Sequence, residues 1–178
     1  MKKIICKTKA TTQAEYCFSG YASVFNVPDA NDDIILPGAF RSSFTIASEV
    51  KMLWQHDPKT PIGTFSLIQE TPEGLYVEGQ LIISTPKGRE AYELITNGAV
   101  DGLSIGFEIK EQYFENGRRC ISKVRLWEIS IVTFPANEMA RIRPVRASVT
   151  QGLVEDIDKH INTLCLTTGV FEKNGGRY

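Results

Sequence analysis

The chain has 178 residues, 42% apolar and 23% charged, enough ordinary globular material for one sizeable core. Lys plus Arg is 20 and Asp plus Glu is 21, so the net charge is −1, which argues against a dedicated nucleic-acid binder. No apolar run approaches the roughly 18 residues of a membrane span, and Lys7 and Lys9 interrupt the apolar start too early for a signal peptide, so a soluble, cytosolic protein is expected.

Cys17 to Phe25 has the aromatic and β-branched content of a strand. The polar loop 26–33 carries Pro28, Asp29, Asp32 and Asp33. It lacks the glycine and distal glutamate of an EF-hand, so it reads as a solvated turn and not a calcium loop. Residues 41–47 suggest a short helix. Val50 to His56 is a second strand, closed by Asp57-Pro58. Ile62 to Glu70 and Gly74 to Ile83 form a hairpin around Thr71-Pro72-Glu73-Gly74. The clearest helix has Thr85 as N-cap, Pro86 at its first position, a body from Lys87 to Thr96, and a stop at Asn97-Gly98. Leu103 to Tyr113 and Arg118 to Thr133 alternate strongly and are joined through Glu115-Asn116-Gly117, a strong hairpin signal.

Beyond Pro135, Met139 to Val149 reads as an irregular crossing segment with Arg141, Arg143 and Arg146 around Pro144. A C-terminal helix is expected at about 153–167, from apolar residues at 154, 157, 161, 164 and 165, followed by a frayed tail at 172–178. The expectation is a single domain over residues 1–178 with its core at about 15–150. Its fold class is mainly β (α+β): an antiparallel β-barrel or strongly curled sheet with a few peripheral helices. Cys6, Cys17, Cys120 and Cys165 are scattered, with no CxxC pair and only His56 and His160 to complete a metal site. Four reduced thiols, no metal and no cofactor are expected.

Gly102-Leu103-Ser104-Ile105-Gly106 fits G-x-S-x-G, yet a nucleophile elbow needs a strand before the serine and a helix after it. Here the helix lies upstream, and the alternation of Leu103, Ile105, Phe107 and Ile109 puts Ser104 on a strand. Ser104 and Gly106 then share the opposite face, where Gly106 leaves room for an approaching backbone and is a candidate substrate-binding position. Read blandly, Ser104 is a polar residue on an outer face.

His56 shares a strand face with Met52 and Trp54, which by itself suits a structural histidine. The strand from Arg125 to Thr133 puts Trp127, Ile129 and Ile131 on one face and Leu126, Glu128 and Ser130 on the other. A carboxylate in so apolar a strand costs several kcal/mol unless it is paired. Its partner is either a histidine or one of Arg125, Arg141 and a backbone amide. With His56 as that partner, Ser104, His56 and Glu128 make a hydroxyl–imidazole–carboxylate set, in which the base activates the serine and the acid fixes the base's tautomer.

At these same residues the sequence resembles the prohead protease family of tailed bacteriophages. The likeness rests on Gly20-Tyr21-Ala22-Ser23-Val24-Phe25, Ile35-Leu36-Pro37-Gly38-Ala39-Phe40, Trp54-Gln55-His56-Asp57, Asp101-Gly102-Leu103-Ser104-Ile105-Gly106-Phe107 and the segment from Trp127 to Asn137. It implies a serine endopeptidase related to herpesvirus assemblins, with a herpesvirus-protease-like barrel. Such an enzyme cuts scaffold and major-capsid-protein propeptides, and commonly itself, inside the assembling procapsid in the host bacterial cytoplasm. The resemblance gives His56 as base, Ser104 as nucleophile and Glu128 as third member. Assemblins use a second histidine there, a role open to His160 only if the C-terminal helix folds back. Protein substrates, a homodimer or higher oligomer, and neither nucleic acid nor membrane are the partners implied. The arginines of 141–146 are either a solvated surface strip or, more sharply, a docking site for an acidic scaffold segment or an exposed self-cleavage region. Two rival readings are a non-catalytic capsid-assembly or scaffold-binding module on the same barrel, and a cysteine hydrolase using Cys120, whose thiol pKa Arg118-Arg119 would lower.

Overall fold

The computed structural model describes residues 16–144, all within a first unit, Met1–Val145. The expected C-terminal helix, the frayed tail, His160, Cys6, Cys165 and Arg146 lie outside the described residues. Eight strands and one helix follow in order: β1 Cys17–Val24, β2 Asp33–Ile35, β3 Lys51–Trp54, β4 Asp57–Glu70, β5 Gly74–Leu81, α1 Pro86–Thr96, β6 Gly102–Glu115, β7 Arg118–Val132 and β8 Ile142–Pro144. The helix starts and stops where its caps predict. Thr85 Oγ1 accepts from the Gly88 N–H at 3.1 Å, Pro86 occupies the first turn, and the chain leaves through Asn97 and the left-handed Gly98.

The strands form one sheet in the order β2-β7-β3-β4-β5-β1-β8, with β6 on the other edge of β7. It is mixed, which corrects the all-antiparallel expectation. β7 is long enough to take two short parallel neighbours, β2 at Asp33↔Arg119 and β3 at Lys51↔Glu128. Its antiparallel partner β6 runs from Gly102↔Val132 to Glu115↔Arg118. Parallel pairing joins segments remote in sequence, so no local turn signal announces it.

The sheet curls until Gly102, near one end of this order, meets Arg141, just ahead of β8 at the other, in an isolated bridge. That contact is not a ladder, so the strands do not close into the barrel expected from sequence. Three further expectations change. Residues 41–46 form turns and bends, and the only helical residue of the expected stretch is Ala47, which opens a short 3-10 helix at Ala47–Glu49. The segment after Pro135 supplies a strand, β8, which pairs with β1 at Gly20↔Ile142. Asp33 is not a solvated turn residue: it is 5% exposed and takes both Nε and Nη2 of Arg119 in a bidentate pair. The 26–33 loop is organised instead by Asp29 Oδ1, which accepts from the Asn31 and Asp33 N–H groups.

One core lies inside the curl. Met52, Ile62, Leu75, Val77, Leu103, Ile129 and Ile131 are essentially fully buried, each stabilising the fold by about 1.5–3 kcal/mol. Ile105, Phe107 and Ile109 pack against that core from β6, as their alternation predicts. On β7 the alternation breaks. Between Gly106↔Glu128 and Phe107↔Leu126 the register shifts, leaving Trp127 without an opposite residue. Leu126 is therefore buried, while Trp127 is about half exposed and stacks beneath Arg125, 4.0 Å from its ring centre, instead of joining Ile129 and Ile131.

Candidate active site

The bulge sits beside the carboxylate that the sequence marks as needing a partner. Glu128 Oε1 lies 2.6 Å from His56 Nδ1, and Oε2 accepts from the Ser130 hydroxyl at 2.6 Å. The alternative partners are engaged elsewhere: Arg125 on Trp127, and Arg141 Nη1 on Asp101 at 2.6 Å. The Glu128 side chain is 12% exposed and that of His56 45%, so the acid is shielded while the imidazole stays open to solvent. The hydrogen bond that Glu128 accepts holds the His56 pKa above that of an ordinary imidazole, against the opposing effect of partial burial.

His56 does not continue the strand before it. β3 ends at Trp54, Trp54 pairs with Asp57, and Gln55 and His56 form the two-residue turn between them. Both are left-handed, with φ of 52° and 59°. A hairpin of this length takes such a turn because its twist matches the flanking strands, but asparagine and glycine are its ordinary occupants. Non-glycine residues there are strained by about 1–3 kcal/mol each. β7 and the residue just after it hold the turn: Gln55 N–H donates to the Ile131 carbonyl at 3.0 Å, Gln55 Nε2 to Thr133 Oγ1 at 2.9 Å, and His56 N–H to Ser130 Oγ at 3.0 Å.

Ser104 reaches the same neighbourhood from the other edge of β7. It is the direct partner of Ser130 in the β6–β7 ladder, with Gly106 opposite Glu128, so all four share one face of the hairpin. Leu53 is the parallel partner of Ser130 from β3, two residues before Gln55 and three before His56. Acid and serine thus stand on adjacent strands, and the base on the turn that ends β3, along the other edge of β7. Ser104 is 7% exposed and lines a cleft of about 100 Å³ with Ile105, Phe107, Asp29, Asn31, Asp33 and Asn137, among others.

The open face of Gly106 is not empty. A Cβ there would stand 2.9 Å from Glu128 Cγ and Cδ, and closer still to Oε1, so the missing side chain makes room for the acid. Ser130 did not stand out in the sequence beyond its place on the Glu128 face, although a serine two residues from an apolar-strand carboxylate is a readable period-two signal. Cys120, the rival nucleophile, is 3% exposed and lies roughly 30 Å from Ser130 along β7 at the usual rise of an extended strand. No cluster of His, Cys, Asp and Glu among the described residues is arranged to hold a metal ion.

Comparison with known proteins adds a second line. The family model described as "Caudovirus prohead serine protease" matches residues 2–154. The prohead protease of Enterobacteria phage HK97 is 36% identical over 146 residues, covering 79% of this chain and 65% of its own length. The capsid polyprotein of Pseudomonas phage PAJU2 is 34% identical over 152 residues, covering 79% of this chain and 22% of that protein. The chain thus spans less than two thirds of either relative. Among solved structures, the bacteriophage T4 capsid assembly protease aligns with a TM-score of 0.54 at 12% identity, covering 65% of this chain and 80% of that one. KSHV protease bound to a hexapeptide phosphonate inhibitor aligns with a TM-score of 0.52 at 13% identity, covering 71% and 63%. At such identities the likeness concerns the fold.

Proposed function

The chain belongs to the caudovirus prohead serine protease family, and from that premise we propose that it is a serine endopeptidase maturing the phage procapsid. The observation that carries this reading is the 2.6 Å hydrogen bond between His56 and Glu128, whose strand β7 directly adjoins the β6 strand of Ser104. Ser104 is the nucleophile, His56 the base and Glu128 the group that orients the base. With Nδ1 engaged by Glu128, the imidazole has Nε2 for the serine proton. His56 takes that proton as Ser104 Oγ attacks the scissile carbonyl and returns it to the leaving amine, and water then releases the acyl group by the same route. Glu128 steadies the imidazolium formed at each attack, and backbone N–H groups hold the oxyanion.

Substrates are extended segments of the capsid-protein and scaffold propeptides, with self-cleavage included, inside the procapsid of the infected cell. Past Gly102 and Leu103, β6 has β7 on one edge and no strand on the other among the described residues, leaving main-chain groups for an added substrate strand. In this reading Gly106 serves catalysis through Glu128, and the cleft beside Ser104 takes a substrate side chain. The enzyme works as a homodimer or higher oligomer. Coexpression of the full chain with its capsid precursor tests the proposal. Wild type trims the precursor and Ser104→Ala, though folded, leaves it intact; trimming by a clean Ser104→Ala preparation removes Ser104 as nucleophile.

A further inference from the structure

We propose that Ser130 is a positioning residue of this site, one hydroxyl that sets both the base and the acid. The inference rests on the roles given above to Ser104, His56 and Glu128. Ser130 is fully buried, between the equally buried Ile129 and Ile131. Its Oγ donates to Glu128 Oε2 at 2.6 Å and accepts from the His56 N–H at 3.0 Å. The direction of each bond is fixed by chemistry. An ionised carboxylate only accepts and a backbone N–H only donates, so the single O–H proton goes to Glu128 and a lone pair faces His56.

The consequence is a closed loop. His56 Nδ1 bonds one oxygen of Glu128, the other oxygen bonds Ser130, and Ser130 bonds the backbone of His56. Such a loop fixes the imidazole relative to the carboxylate at two points, the ring and the main chain. It matters here because His56 sits in a left-handed turn that its own residue type does not favour. Ser130 is also the register partner of Ser104, so the group holding the base stands opposite the nucleophile. Alanine at 130 would leave the His56 N–H without its partner and Glu128 Oε2 without its donor. Threonine would add a methyl group to a fully buried position.

The charged group facing His56 is Glu128. The neighbouring Asp57 is turned to the Lys59 N–H and the Thr60 hydroxyl. Without the Ser130 O–H, the Glu128 charge is less shared and draws the His56 proton more strongly. The pH of half-maximal activity therefore moves upward as the rate falls.

The test is the rate of labelling by a fluorescent serine-directed phosphonate as a function of its concentration and pH. It uses the full chain as wild type, Ser104→Ala, Ser130→Ala and Ser130→Cys. Ser130→Ala is expected to lower the maximal labelling rate by about 10- to 100-fold. Its half-saturating concentration stays within about twofold, and its pH midpoint moves up, at a temperature where circular dichroism shows it folded. Ser130→Cys, close in volume but a weak donor, falls between the two and carries the comparison if the alanine variant does not fold. An unchanged rate and midpoint in the Ser130 variants, with Ser104→Ala unlabelled, overturns the Ser130 proposal alone. A lower rate with an unmoved midpoint also overturns it, because that is the mark of a general loss of structure. Labelling of Ser104→Ala overturns the reading beneath it.

Discussion

Two hairpins of this molecule use the same turn for different ends. The β6–β7 hairpin closes through Asn116 and Gly117 between Glu115 and Arg118, with φ of 51° and 81°. The β3–β4 hairpin closes through Gln55 and His56 between Trp54 and Asp57, with φ of 52° and 59°. The first is filled by the residues that adopt this geometry most readily, and nothing lies within 4 Å of where a Gly117 Cβ would be. The second is filled by residues that adopt it less readily, and β7 with the residue after it offsets the strain by accepting hydrogen bonds at Ile131, Ser130, Glu128 and Thr133. Conformational ease decides the sequence where a turn only turns. Under the proposed mechanism, chemistry decides it where the turn must present an imidazole.

Exchanging the two turn sequences breaks the comparison most sharply. Replacing Gln55 and His56 by Asn and Gly keeps the hairpin but removes the base. Precursor cleavage should fall by at least about 10⁴-fold, while the circular dichroism spectrum of the fold is retained. Next in size is Gly106→Ala, which leaves the turn intact and moves its orienting acid. The new Cβ requires the Glu128 carboxylate to shift, and a displacement near 1 Å should lower the cleavage rate by about 10²-fold, read in a time course at saturating precursor.

The reverse graft is milder. Gly117→His puts a side chain at a left-handed position with no strand bonds to compensate, a cost of about 1–2 kcal/mol. At ~2–4 °C per kcal/mol the melting temperature should drop by several degrees, with cleavage unchanged. The smallest effect is on protons. His56 titrates above the ordinary imidazole value because of Glu128, so an NMR titration should place its midpoint above about 6.5, and Glu128→Gln should bring it down. The sign for stability follows. A folded-state pKa raised above the unfolded one gives stabilisation that is complete below about pH 6.5 and lost as pH rises through the folded value, so that increment of melting temperature should be absent in Glu128→Gln.

Much of the candidate site was legible because its members stand out locally. Ser104 stands between two glycines on the polar side of an apolar alternation, Glu128 is a carboxylate in an apolar strand, and His56 stands where a strand ends. Helix α1 and the Asn116-Gly117 hairpin were readable because caps and turns act within a few residues. The role of Ser130 was not readable. A buried serine on a strand looks the same whether it bonds a neighbour's backbone or a catalytic pair, and its second partner is 74 residues away in the chain. The placing of Trp127 failed for a similar reason: one bulge reverses the faces of every residue beyond it, and no residue type announces it.

The linear order of residues by itself determined the strand-rich composition, the two-residue Asn-Gly turn, the capped helix and the three residues able to carry a proton relay, since propensity, capping and alternation are short-range effects. Only the tertiary structure decided that β7 takes parallel neighbours, that its bulge turns Trp127 outward, and that a left-handed Gln55-His56 turn is held over Glu128 and Ser130. Those outcomes depend on which distant strand lies alongside which, and hydrogen bonds between strands bring together residues that no local pattern connects.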